Sequence, residues 1–141
     1  MADFDEFKAY FEPKGYRMGY LATVGARGRP ALRPVTFFLS GRKLYFCTTT
    51  GDAKVKQIRK DRRLEICIPV NRGRWRGYYR IAGDADLVKD RRARQRVAKN
   101  FPAVEKHWEG PHDPNLTIVE VKRAASRYLP PGKAAEVDVK L

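Results

Sequence analysis

The chain has 141 residues, of which 43% are hydrophobic, and this content is sufficient for a packed core and excludes a disordered protein. Its 30 lysines and arginines outnumber 16 aspartates and glutamates, for a formal net charge of +14 that attracts polyanions and phosphate-bearing molecules. The sequence has no run of about 18 apolar residues and begins with acidic residues, which predicts a cytoplasmic protein without a membrane span or a secretory signal. Its length predicts one domain over residues 1–141.

The N-terminal third is predicted to form a helix followed by three closely spaced strands. Aromatic side chains recur at spacings of three and four within residues 3–11, which indicates an amphipathic helix capped by Asp3 and followed by a linker to residue 15. The three segments that follow are rich in Val, Leu, Phe, Tyr and Thr and are separated by glycine-containing turns, which is typical of hairpins. These strands are expected at 17–24, 30–39 and 43–49.

The rest of the chain is predicted to contribute further antiparallel strands and short helices. In chain order we expect a helix at 51–60, strands at 64–70 and 74–88 with a bulge or bend at Gly83, a helix at 90–100 capped by Asp90, a partly helical segment at 101–112, a final strand at 116–129 and a loose tail at 130–141. Closing the sheet would remove its exposed edges. The sequence therefore predicts a mainly β fold, a six-stranded antiparallel barrel with two to four short helices.

One stretch carries an indication of chemistry, where the third strand ends and the second helix begins. The strand ends in three threonines that include Thr48 and Thr49, a glycine turn follows, and Lys54 lies in the first turn of the helix. A helix N-terminus offers free backbone N–H groups, so these hydroxyls and the ammonium can converge on a phosphate monoester. Arg33, on the neighbouring strand, is expected to reach the same point.

The order of these residues resembles the pyridoxamine 5′-phosphate oxidase-like family of FMN-binding split barrels. The matching positions are Arg33, Val35 and Thr36 in the first element and Thr48, Gly51, Lys54, Gln57 and Ile58 in the second. The resemblance extends from about residue 19 to residue 88, with a weaker similarity over 116–129. It implies a six-stranded split β-barrel in which Arg33 and Lys54 hold the FMN phosphate and the backbone of residues 35–37 faces the flavin ring.

The resemblance also implies a homodimer, because in this family the second subunit covers the cofactor. The implied cofactor-binding residues are Arg33, Pro34, Val35, Thr36, Phe37, Cys47, Thr48, Thr49, Lys54 and Gln57, with Trp75, Tyr78 and Tyr79 contributed by the partner. No acid or base stands out, so no catalytic residue is predicted. Because Asp52-Ala53 replaces the Ser-Arg of the oxidases, we expect a short general-stress or flavin-reductase-like member, an oxidoreductase acting on an unknown small molecule.

Three alternatives remain open from the sequence. Two of them use the same barrel with another cofactor: the deazaflavin F420, whose anionic tail would suit a basic surface, or haem, for which His107 or His112 is a candidate ligand. A non-enzymatic nucleic-acid-binding barrel is the third, through the arginines and aromatic residues of 71–80. Neither histidine has a nearby partner ligand, so no metal site is predicted, and Cys47 and Cys67 are expected to be unpaired thiols.

Overall fold

The computed structural model describes residues 3–141, and within this range six antiparallel strands close into a barrel, as predicted. The strands are β1 (Tyr16–Val24), β2 (Pro30–Ser40), β3 (Lys43–Thr49), β4 (Arg63–Arg72), β5 (Trp75–Leu87) and β6 (Leu116–Leu129). Their order around the sheet is β3-β2-β1-β4-β5-β6, and pairing of β3 with β6 closes the barrel. This closure leaves the end of β3, with its threonines, next to the start of β6.

Four α-helices accompany the barrel in the described part of the chain. They are α1 (Asp3–Ala9), α2 (Ala53–Lys60), α3 (Arg91–Ala98) and α4 (Ala103–His107), so the predicted elements are present with small shifts of their ends. The predicted cap of α3 is confirmed, because the backbone N–H of Ala93 donates to Asp90 Oδ2 at 2.9 Å. Among the described residues, each helix is too short or too polar to cross a membrane.

The alternation of side chains along the strands produces two separate apolar layers. One face of each strand fills the barrel, where Phe37, Phe46 and Ile66 are completely buried and α1 adds Phe7 against the ring of Tyr79 at 4.8 Å between centroids. The opposite face of β2 and β3 packs against the segment that carries α3 and α4, with Phe38 stacked on Phe101 at 4.6 Å. This outer layer fixes α4 beside β2 and β3.

The register between β5 and β6 changes at the glycine where a bulge was predicted. Ala82 lies opposite Ala125 but Gly83 lies opposite Arg123, so the extra residue is Ala124 on the partner strand. A Cβ atom at position 83 would collide with the carbonyl oxygen of Lys122. Glycine is therefore required here by the close approach of the β6 backbone.

The C-terminal segment, expected to be a loose tail, instead pairs with the barrel. A two-residue strand, β7 (Val137–Asp138), lies alongside β6 outside the barrel. The carboxylate of Glu136 accepts hydrogen bonds from Tyr78 Oη at 2.6 Å and from Arg127 Nε at 2.9 Å. These long-range bonds hold the segment, and a strand of two residues has no local periodicity that sequence reasoning can detect.

Candidate functional site

A pocket of about 440 Å³ is lined by residues of β2, β3 and α2 and by residues 101–108, which contain α4 and which we call the α4 segment. The strands and α2 supply six of the predicted cofactor-binding residues to its lining: Pro34, Val35, Thr36, Cys47, Thr48 and Lys54. This volume falls in the range of small-molecule and cofactor sites. Residues that are distant in sequence, on β2 and at the β3–α2 turn, are thus brought to one cavity.

The opposite wall of the pocket comes from residues that the sequence analysis did not identify as a group. It consists of Tyr16 from β1 and of Phe101, Pro102, Ala103, Lys106, His107 and Trp108 from the α4 segment. Tyr16 and Phe101 meet edge to face at 6.2 Å between ring centroids. The segment was predicted to be partly helical, but only the outer apolar layer determines which strands it packs against.

The β3–α2 turn holds a carboxylate where a phosphate was expected. Thr48 Oγ1 donates to Asp52 Oδ2 at 2.7 Å, and Lys54 Nζ donates to the same oxygen at 3.0 Å. The hydrogen bond from Thr48, followed by that from Lys54, lowers the pKa of Asp52 below its ordinary value. Although Asp52 precedes α2 in the N-cap position, its side chain caps no backbone N–H of the helix. Its negative charge is directed at the two groups predicted to bind an anion.

Arg33 lies outside the lining of the pocket, on the barrel side of β2. Its Nη1 donates to Thr23 Oγ1 at 2.8 Å and to the carbonyl of Leu21 at 3.3 Å, and its Nη2 donates to Gln57 Oε1 at 3.0 Å. Thr23 also donates to Gln57 Oε1 at 2.6 Å. Burial lowers the pKa of Arg33. These bonds connect α2 to β1 and β2, so in this structure Arg33 and Gln57 position the helix.

The other predicted site residues lie apart from the pocket. Phe37 has its side chain in the barrel core, and Thr49 is exposed at the end of β3. Trp75 and Tyr78 are at the far end of β5, where Trp75 is 51% exposed and Tyr78 binds Glu136. Tyr79 is only 1% exposed, and its ring stacks on that of Tyr128 inside the barrel at 4.1 Å between centroids.

Cys47 lines the pocket as a protonated thiol. Burial raises its pKa to about 12, against a smaller opposing effect of Arg94. Both Cys47 and Cys67 are free, as predicted. A thiol with such a pKa is a poor nucleophile at neutral pH, so Cys47 contributes shape to the pocket. Within residues 3–141, no three His, Cys, Asp or Glu side chains are grouped so that they could hold a metal ion.

An exposed apolar face adjoins the pocket on the outside of β1 and β2. Tyr16, Met18 and Tyr20 alternate along β1 and are 41%, 56% and 43% exposed, and Leu32 on β2 is 69% exposed. We call these four residues the β1–β2 face. Tyr16 belongs both to this face and to the pocket lining, so the two features are continuous. Large exposed apolar side chains that adjoin one another mark an interaction surface.

Comparison with known proteins places the chain in a family. A family model described as Pyridoxamine 5′-phosphate oxidase matches residues 5–130, and the chain belongs to this family. The chain is also 27% identical over 127 residues to general stress protein 26 of Bacillus subtilis (strain 168), an alignment that covers 89% of each protein. The resemblance predicted from the β2 and β3–α2 residues is thereby confirmed.

Solved structures show the same fold at lower identity. The crystal structure of general stress protein 26 from Bacillus anthracis str. Sterne superposes with a TM-score of 0.72 at 19% identity, over 96% of this chain and 98% of that one. A haem-binding protein from Mycobacterium smegmatis superposes with a TM-score of 0.79 at 17% identity, over 99% of this chain and 58% of that one. At these identities the likeness concerns the fold.

Proposed function

We propose that the protein binds FMN in the pocket between β2, β3 and α4 and acts as a flavin-dependent oxidoreductase on a small molecule. The observation that carries the proposal is the meeting of residues 34–36 with Thr48 and Lys54 in one cavity. These are the segments through which the family resemblance implies contacts to the ring and to the phosphate. A bound flavin would supply hydride and electron transfer, and the protein would position it.

The chemistry of the lining supports a flat, anionic ligand. The aromatic side chains of Tyr16, Phe101 and Trp108 offer apolar surface for a ring system. At the β3–α2 turn, the ammonium of Lys54 has a side chain that is only 17% exposed, and the hydroxyl of Thr48 lies close by. Asp52 is the one group here that opposes a phosphate, and its side chain is 45% exposed and can turn toward solvent.

We also propose that the functional unit is a homodimer formed through the β1–β2 face. Its four exposed apolar side chains adjoin the mouth of the pocket through Tyr16. In a two-fold interface the same surface of both subunits is in contact, so the β1–β2 face of one subunit can be buried against that of the other. The second subunit would then exclude water from the bound flavin.

The proposal is tested by filling the pocket. Ala103 lines the cavity on α4, whereas Glu105 on the same helix is exposed and outside the lining. We expect wild-type protein to quench FMN fluorescence on titration and Ala103→Trp to abolish this quenching, because the indole occupies the space of the ring. The matched variant Glu105→Trp should bind FMN as wild type does. Equal FMN binding by wild type and Ala103→Trp would refute the assignment of the pocket.

Haem is a second candidate for the same cavity, because His107 lies in its lining. If haem bound in this aromatic-walled pocket, the imidazole of His107 would be the group that holds its iron. The fold of the haem-binding protein from Mycobacterium smegmatis is consistent with this use of the barrel. If haem is the ligand, His107→Ala should shift and weaken the Soret band, while His112→Ala, at a different pocket, should leave it unchanged. Haem titration that produces no His107-dependent Soret band would reject this candidate.

A further inference from the structure

The β3–α2 turn contains an internal ion pair in the position where a phosphate would bind. Asp52 Oδ2 receives both the Thr48 hydroxyl and the Lys54 ammonium, at 2.7 Å and 3.0 Å. Asp52 is the N-cap residue of α2, but its carboxylate accepts no capping hydrogen bond from the backbone of the helix. Besides the backbone of Thr49, the hydrogen-bond partners of this carboxylate within residues 3–141 are the two side chains that line the pocket at this end.

The two partners differ in how much water they can reach. The side chain of Lys54 is 17% exposed, whereas that of Asp52 is 45% exposed. A largely buried ammonium without a counter-charge is unfavourable, so Lys54 requires an anion from some source. Asp52 supplies that anion when the pocket is empty and can be released to solvent when another anion takes its place. Turned outward, its charge still lies beside the phosphate and repels it.

We propose that Asp52 is a specificity-determining residue that competes with phosphate for Thr48 and Lys54, and so weakens binding of phosphorylated flavin relative to the unphosphorylated form. The inference rests on the proposed function, since it assumes that the pocket receives a flavin. It adds that the pocket discriminates weakly between FMN and riboflavin. The Asp52 carboxylate carries one negative charge and a phosphate dianion carries two, so the phosphate of FMN displaces the carboxylate from Lys54. This displacement lowers the affinity for FMN.

The test compares the binding of FMN and riboflavin to four proteins by fluorescence quenching. Asp52→Asn keeps the shape of the side chain and one acceptor oxygen, but it removes the charge and replaces the other oxygen by an NH2 donor. Asp5→Asn, on the exposed side of α1, changes the net charge equally and serves as the control. We expect Asp52→Asn to raise the affinity for FMN by roughly tenfold (about 1.4 kcal/mol) and to leave that for riboflavin unchanged. The double variant Asp52→Asn, Lys54→Met should lose this gain.

An unchanged ratio of FMN to riboflavin affinity in Asp52→Asn would overturn the inference, and so would an equal gain in Asp5→Asn. If neither flavin binds any of the proteins, the proposed function fails and the role of Asp52 is decided with inorganic phosphate. Phosphate should then shift the backbone amide resonances of residues 48–54 in Asp52→Asn at concentrations roughly tenfold lower than in wild type. Equal phosphate titrations of the two proteins would overturn the inference independently of flavin.

Discussion

Replacing Met18 and Leu32 of the β1–β2 face by aspartate is expected to separate the proposed dimer into monomers. Complete burial of such a side chain stabilises by about 1.5–3 kcal/mol, and more than half of each remains exposed in the single chain, at 56% and 69%. Each side chain therefore has about 1–2 kcal/mol left to contribute on association. In a two-fold dimer each residue is present once from each subunit, so four side chains are affected. The combined loss of association free energy is therefore about 4 kcal/mol or more.

A loss of this size raises the dimer dissociation constant by roughly a thousandfold. Sedimentation equilibrium of the wild type and the double variant measures this change, with circular dichroism showing that the fold is retained. Val137→Asp is the control, because Val137 is also an exposed apolar residue, at 47%, but lies on β7 away from β1 and β2. A monomeric wild type, or a Met18→Asp, Leu32→Asp variant that dimerises as tightly as wild type, would refute the assignment of the interface.

Three further predictions concern the barrel and its titrating groups. Gly83→Ala should lower the free energy of unfolding by about 2 kcal/mol or more, because its Cβ meets the Lys122 carbonyl, whereas Gly51→Ala, with open space around it, should be nearly neutral in chemical denaturation. Cys47 should resist thiol reagents at pH 8 in the native protein, since its pKa is raised to about 12, and peptide mapping that finds rapid labelling would contradict this. Hydrogen bonds, that from Tyr78 foremost, lower the pKa of Glu136 below its ordinary value of 4.5. Glu136→Gln should therefore lower the free energy of unfolding at pH 7, and the difference from wild type should fade as the pH drops below 4.5. A difference in the free energy of unfolding that does not depend on pH would contradict this expectation.

Much of the barrel is predictable because its strands are local patterns separated by turns. Alternating β-branched and aromatic residues bounded by glycine define β1, β2 and β3 to within a residue or two. The bulge at Gly83 is also visible as a glycine inside a strand, although the extra residue lies on β6, and only the pairing of two distant strands reveals it. Strand β7 is too short to produce a pattern and depends on Glu136 meeting β5 and β6 side chains.

The candidate site is predictable only in part, for a related reason. The sequence places Thr48 and Lys54 next to each other across a turn, so their convergence follows from local geometry. The orientation of the Asp52 side chain does not follow from local geometry, since a carboxylate at an N-cap position can accept hydrogen bonds from the helix backbone or from a neighbouring side chain. Arg33 and Gln57 could not be assigned to one another because their contact joins β2 to α2, and Tyr79 could not be separated from Tyr78 without knowing which face of β5 enters the barrel.

The visible absorption spectrum of the purified protein tests flavin binding most directly. The protein should be measured as isolated, and again after incubation with FMN and removal of free cofactor by gel filtration. We expect a flavin band that remains with the protein and approaches one flavin for each subunit, with the band lost in Ala103→Trp and kept in Glu105→Trp. A protein that is colourless as isolated and retains no FMN after incubation would contradict the assignment of the pocket as a flavin site.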